Sequence, residues 1–157
     1  MISHRNVIAN VMQIGTFEKP MRDKTPPNER THVVLGLLPL SHIYGLVVIA
    51  QASMYRGDGV IILPKFELQS YLQAIQTYKI QTLYLVPPII IQMTKNNPVC
   101  SKYDLSSVKS IFTGAAPLGA ETAEDLQKLY PSWKIRQGYG TYVPKVEIKF
   151  LTNKIQA

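Results

Sequence analysis

Four short stretches carry side chains and backbone that could meet a ligand: PLSHIYG (residues 39–45), VPP (86–88), TGAAPLG (113–119) and QGYG (137–140). Together they offer an imidazole (His42), two phenols (Tyr44 and Tyr139) and small residues that let a ligand approach main-chain N–H groups. Such a set suits binding of a small molecule and names no reaction by itself. Each piece also has a plain structural use. His42 beside Tyr44 could cap a helix, residues 114–119 could be a tight strand-to-helix turn bent by Pro117, and Tyr139 could be a turn aromatic. The sequence holds no GxxxxGK[ST] phosphate loop, no cluster of His, Cys, Asp or Glu at metal-ligand spacing and no serine in a GxSxG setting.

The elements around these stretches explain how they could converge. Short β-rich runs occur near 32–38, 59–63, 81–86, 108–113 and 133–136, with helical patterns near 42–56, 67–79, 88–95 and 119–130. Ser3 is a plausible N-cap for a short opening helix in which Val7, Val11 and Ile14 recur at helical spacing. Residues 18–30 are polar, carry three prolines and read as a surface connection. Leu68, Tyr71, Leu72 and Ile75 form one helical face. Strand runs without strict alternation, separated by single helices, predict an α/β fold: a mostly parallel sheet with helices on both faces. Ligands bind such sheets outside the carboxyl ends of the strands, where all four stretches fall.

Composition narrows the classes of partner. At 157 residues and 46% hydrophobic, the chain is about one domain with a real core. The charge of +7 is spread over scattered lysines and arginines with no basic stripe, which argues against a nucleic-acid module. The lone Cys100 rules out an internal disulfide and fits a reducing compartment. Residues 33–50 are strongly apolar but broken by Pro39, Ser41 and His42, and the first ten residues lack the apolar core of a secretory signal. The expectation is a soluble, cytoplasmic chain without a transmembrane segment.

Taken in order, MISHRN, LPLSHIYGL, LPKFEL and IFTGAAPLG…WKIRQGYG resemble the adenylate-forming (AMP-dependent synthetase/ligase) superfamily. The nearest look is to 4-coumarate–CoA ligase-like acyl- and aryl-CoA synthetases, over roughly residues 1–140. The resemblance implies a two-step reaction in which a carboxylic acid attacks the α-phosphate of ATP, releasing pyrophosphate, and CoA then displaces AMP. It implies that His42, Tyr44 and Ala115 face the acid, and that Lys65 contacts CoA. It further implies that Gly114, Ala115, Ala116, Pro117, Gln137, Gly138, Tyr139 and Gly140 line the nucleotide, with Tyr139 stacked on adenine. ATP/AMP, CoA and Mg²⁺ are the family's cofactors.

The departures from that pattern are specific. The family's last motif reads YG-x-T-E, its threonine contacting the α-phosphate and its glutamate holding Mg²⁺; here Tyr142 and Val143 stand in those places. The Ser/Thr/Gly-rich phosphate loop, the ribose-binding aspartate and the small carboxy-terminal domain with its catalytic lysine are not found in the sequence. The expectation is therefore a central piece of an adenylating domain (1–140), inactive as the isolated chain. Residues 141–157 read as a non-family tail, out of frame or intron-derived. The alternatives are a non-catalytic protein with a vestigial nucleotide or CoA pocket, and an interaction module self-associating through an exposed sheet edge.

Overall fold

A computed structural model describes residues 2–139 and 149–151. Helix α1 (His4–Arg22) is opened by a reciprocal cap between Ser3 and Asn6. A 3₁₀ turn (Pro27–Glu29) leads to β1 (Val33–Gly36), and the chain then enters a π-helix (Tyr44–Gln51) continuous with α2 (Ala52–Arg56). There follow β2 (Gly59–Ile62), α3 (Leu68–Tyr78), β3 (Thr82–Leu85), α4 (Pro87–Lys95), α5 (Asn97–Cys100), β4 (Ser110–Thr113), α6 (Ala120–Leu129), β5 (Lys134–Tyr139) and β6 (Lys149–Leu151). Gly57, at φ 75°, stops α2, and Pro87 and Pro88 occupy the first turn of α4, where a missing N–H costs nothing.

The sheet order is β2-β1-β3-β4-β5-β6; the first five strands are parallel and β6 pairs antiparallel with β5. This is the expected α/β architecture, with strands β3 and β4 buried along their whole length. Alternation divides the core in two. Leu83, Leu85 and Ile111 pack with Leu72, Ile75, Ile90, Met93 and Leu126 of α3, α4 and α6. On the other face, Val34, Tyr84 and Phe112 pack with Ile14, Val48, Ile49 and Ala52 of α1, the π-helix and α2. Strand order reverses between β1 and β3, so the loops after those two strands bound a crevice of the kind that binds ligands in doubly wound sheets.

One segment departs from its sequence reading. Residues 18–22 are not a surface connection: α1 runs through Pro20 to Arg22, with Glu18 buried. The polar residues there belong to an internal ion network. Glu18 Oε2 lies 3.3 Å from both Arg22 Nη2 and Arg56 Nε, and its Oε1 lies 3.2 Å from Arg136 Nη1. Asp58 accepts from Arg22 through both oxygens (2.7 and 2.9 Å), from Arg56 Nε (2.8 Å) and from the His32 amide (2.9 Å).

His32 sits beside this network. Burial and the neighbouring Arg22 charge lower its pKa from 6.5 to about 4. The unfolded chain takes up that proton near pH 6.5, while the folded one resists it down to about pH 4. Stability from neutral His32 is therefore complete above pH 6.5 and lost as pH falls towards 4. Because the ring is only partly buried, the loss should be modest, about 1 kcal/mol. Urea midpoints measured from pH 7 to 4 should fall, and His32→Gln should flatten the upper part of that decline.

Candidate functional site

The site is built from three loops at the carboxyl edge of the sheet. After β1, the main chain turns so that the His42 amide donates to the Pro39 carbonyl (3.0 Å). The Tyr44 amide then donates to His42 Nδ1 (3.1 Å). That bond leaves the neutral ring's proton on Nε2, the nitrogen free to meet a ligand. His42 itself is exposed.

Tyr44 goes inward instead. It is buried, its hydroxyl donating to the Phe112 carbonyl (2.7 Å) and lying 3.2 Å from the Leu85 carbonyl. Burial pushes its pKa well above the usual phenol value, so it stays a donor. Its ring meets those of Tyr84 and Phe112 edge-on, at centroid distances of 6.3 and 6.0 Å. Tyr44 thus ties the ends of β3 and β4 together from beneath.

Above that ring lie two of the glycines nominated from sequence. A Cβ on Gly114 would stand 3.3 Å from Tyr44 Cε1 and 3.6 Å from the Gly138 carbonyl, so the three residues meet. A Cβ on Gly138 would strike the Phe112 ring at 2.6 Å. Ala115 follows with φ 67°, a left-handed conformation unusual for a residue with a side chain, of the kind that gathers at binding sites. Ala115, Ala116 and Pro117 are exposed, and Gln137 is half-buried in register with Thr113. The Thr113 hydroxyl, buried without a partner beside Gln137, is a site feature the sequence reading did not nominate. A Thr at the end of a strand leading into GAAP was its only signal.

The fold brings together His42, Tyr44, residues 114–117, Gln137 and Gly138. It does not bring Lys65 to them. That lysine follows β2, three strand spacings from β4, or roughly 14 Å, and its ammonium pairs with Glu67 at 2.6 Å. The backbone of β5 carries Tyr139 to this edge. The Tyr139 side chain, Gly140, Tyr142 and Val143 lie outside the described residues. A groove of about 400 Å³ opens between α1 and the Gln51 and Tyr55 side chains, and none of the nominated residues lines it.

The donor set suits a purine better than a metal ion. Small residues and exposed main chain can flank a flat ring, whereas Mg²⁺ prefers carboxylate oxygens. The described edge offers an imidazole, an amide and a hydroxyl. Among the described residues no three His, Cys, Asp or Glu side chains are grouped to hold a metal, and no helix is long and apolar enough to cross a membrane.

Residues 1–141 match the sequence profile of the AMP-binding enzymes. The chain belongs to the AMP-binding enzyme family. It is 48% identical over 140 residues to the acyl-CoA ligase lcsD of Purpureocillium lilacinum, covering 89% of this chain and 35% of the relative. To the probable 4-coumarate–CoA ligase 1 of Dictyostelium discoideum it is 37% identical, over 88% of this chain and 24% of that one. It spans about a quarter to a third of the length of such relatives. Among solved structures, the adenylation domain of a keto acid-selecting NRPS module bound to a keto acyl adenylate superposes with TM-score 0.78 at 20% identity, over 96% of this chain and 28% of that chain. The luciferase-like enzyme of the mealworm Zophobas morio superposes with TM-score 0.73 at 23% identity, over 97% and 33%. These two likenesses show that the fold of AMP-binding enzymes is retained across the five parallel strands.

Proposed function

We propose that this chain forms the acid- and adenine-facing strand ends of an AMP-forming acid–CoA ligase. The observation that carries the reading is the meeting of Tyr44, Gly114 and Gly138 beneath an exposed small-residue turn. On this reading the 114–117 turn and Gln137–Gly138 flank the purine and the acyl group, Tyr139 stacks on adenine, and His42 Nε2 faces the reacting carboxylate. Residues 1–140 supply part of the adenylating domain, and residues 141–157 lie outside the family pattern. Lys65 meets CoA only if the ligand reaches across to the β2 side of the edge. ATP, a carboxylic acid and CoA are the partners.

The same reading makes the chain a binder without turnover. Adenylation needs the developing charge on the α-phosphate offset. Tyr142 and Val143 occupy the two positions that do this in the family pattern, and Val143 has no oxygen to offer a cation. Purified chain should bind AMP saturably in calorimetry yet show no ATP–pyrophosphate exchange with aryl or fatty acids. Exchange above blank would overturn the inactivity; flat AMP titrations would overturn the adenine site.

A further inference from the structure

We infer that Arg136 is a positioning residue, holding the end of β5 in place for the ligand through its buried contact with Glu18 of α1. The buried ion network carries a charge imbalance. The ion network sets three guanidiniums, Arg22, Arg56 and Arg136, against two carboxylates, Glu18 and Asp58. Without Arg136 the remaining four charges balance, and they already join α1 to α2 and to the start of β2.

Arg136 is also the least satisfied of the three in its contacts. Arg22 and Arg56 each reach both carboxylates, at 2.7–3.3 Å. Arg136 reaches Glu18 Oε1 at 3.2 Å and Ser110 Oγ at 3.2 Å, and its Nε is buried with no partner; Arg56 Nη1 is unpaired too, but Arg56 also bonds to Ser53 and Tyr84. Its side chain is only 9% exposed. Burying an excess, partly unpaired charge is a poor way to stabilise a fold, and such groups are retained in some proteins because they specify geometry. Here the geometry is plain. Arg136 directly precedes Gln137 and Gly138, and its fork spans from β5 to the first residue of β4 and to the side of α1. It sets where β5 sits against α1 just before the strand delivers its ligand-facing residues.

The inference rests on the adenine-edge reading above, and two readouts separate their failures. Arg136→Met keeps the side chain's apolar length and removes the fork. Its Tm should stay within about 4 °C of wild type. Amide exchange at residues 137–139 should rise about tenfold or more while β1 and β3 keep their protection, and the Kd for AMP should rise at least about tenfold, since small displacements near a binding centre carry large losses. Arg136→Lys, which retains the charge but cannot span both oxygens, should repeat the loosening in part. Unchanged exchange at 137–139 would overturn the inference. So would a variant that fails to fold or loses protection throughout the sheet, because Arg136 would then be a stabilising group. If wild type does not bind AMP, the adenine reading fails while the exchange measurement still decides the role of Arg136.

Discussion

Asp58→Asn should cost this fold about 3–5 kcal/mol, a large part of the stability of a single domain. The side chain is fully buried and takes four hydrogen bonds, three from guanidinium N–H groups and one from the His32 amide. Burial alone would raise its pKa; the bonds from Arg22, His32 and Arg56 outweigh that and hold the carboxyl below its usual range. The substitution changes almost no volume, so packing is not at issue. It leaves three buried guanidiniums facing Glu18 alone and turns an amide N–H₂ or a weaker oxygen towards Arg22 and Arg56. Breaking a buried pair from one side is the costly case, because the partner's desolvation is no longer offset. Urea unfolding with a global probe would measure the loss. A change below about 1 kcal/mol would mean that water already shares these charges.

The contrast with Arg136→Met is instructive. Both residues lie in one network, yet removing the acid is expected to destabilise the fold strongly and removing the third arginine to change its stability little. The direction follows from which sign is in excess. A count of ion pairs, two at Asp58 against one at Arg136, points the same way without giving the reason.

The periodicity of the chain was enough to read its five parallel strands and the longer helices between them. Runs such as TLYL and SIFT are buried on both sides, and helices such as LQSYLQAIQTY show one apolar stripe. The end of α1 was not legible. EKPMR contains a proline and three charges, which read as a surface link, and only the partners Arg56, Asp58 and Arg136 make those charges internal. Those partners lie up to 118 residues away in sequence, beyond the reach of any local pattern.

The site shows the same limit on a smaller scale. The motif order marks His42, Tyr44, Gly114 and Gly138 as neighbours. It does not say that the Tyr44 hydroxyl is engaged with the carbonyls of Leu85 and Phe112, leaving its ring as the floor of the site. Nor does it reveal the strand β6 that covers the outer edge of β5. Side-chain identity told which residues gather; the direction each one faces depended on main-chain groups that the pattern does not encode.

Gly45 tests how tightly the fold holds His42. A Cβ there would stand 2.3 Å from the Pro39 carbonyl oxygen and 2.6 Å from that of Leu38. Both obstacles are backbone, so no side-chain rotation relieves them. The first turn of the π-helix can sit this close to the loop only if residue 45 is glycine. Gly45→Ala must therefore push residues 38–42 away, straining the Pro39–His42 bond and shifting the His42 main chain. Overpacking of this kind costs about 1–3 kcal/mol, and contact with rigid backbone places it at the upper end. Gly119→Ala is the control for a clash: its φ is −62° and nothing lies within 4 Å, so it should lose only the better N-cap of α6, about 1 kcal/mol or less. Denaturant midpoints would register the difference in stability. The ring resonances of His42 should shift in Gly45→Ala and stay put in Gly119→Ala; equal midpoints and unmoved resonances would show that the loop, and not the glycine, sets the place of the histidine.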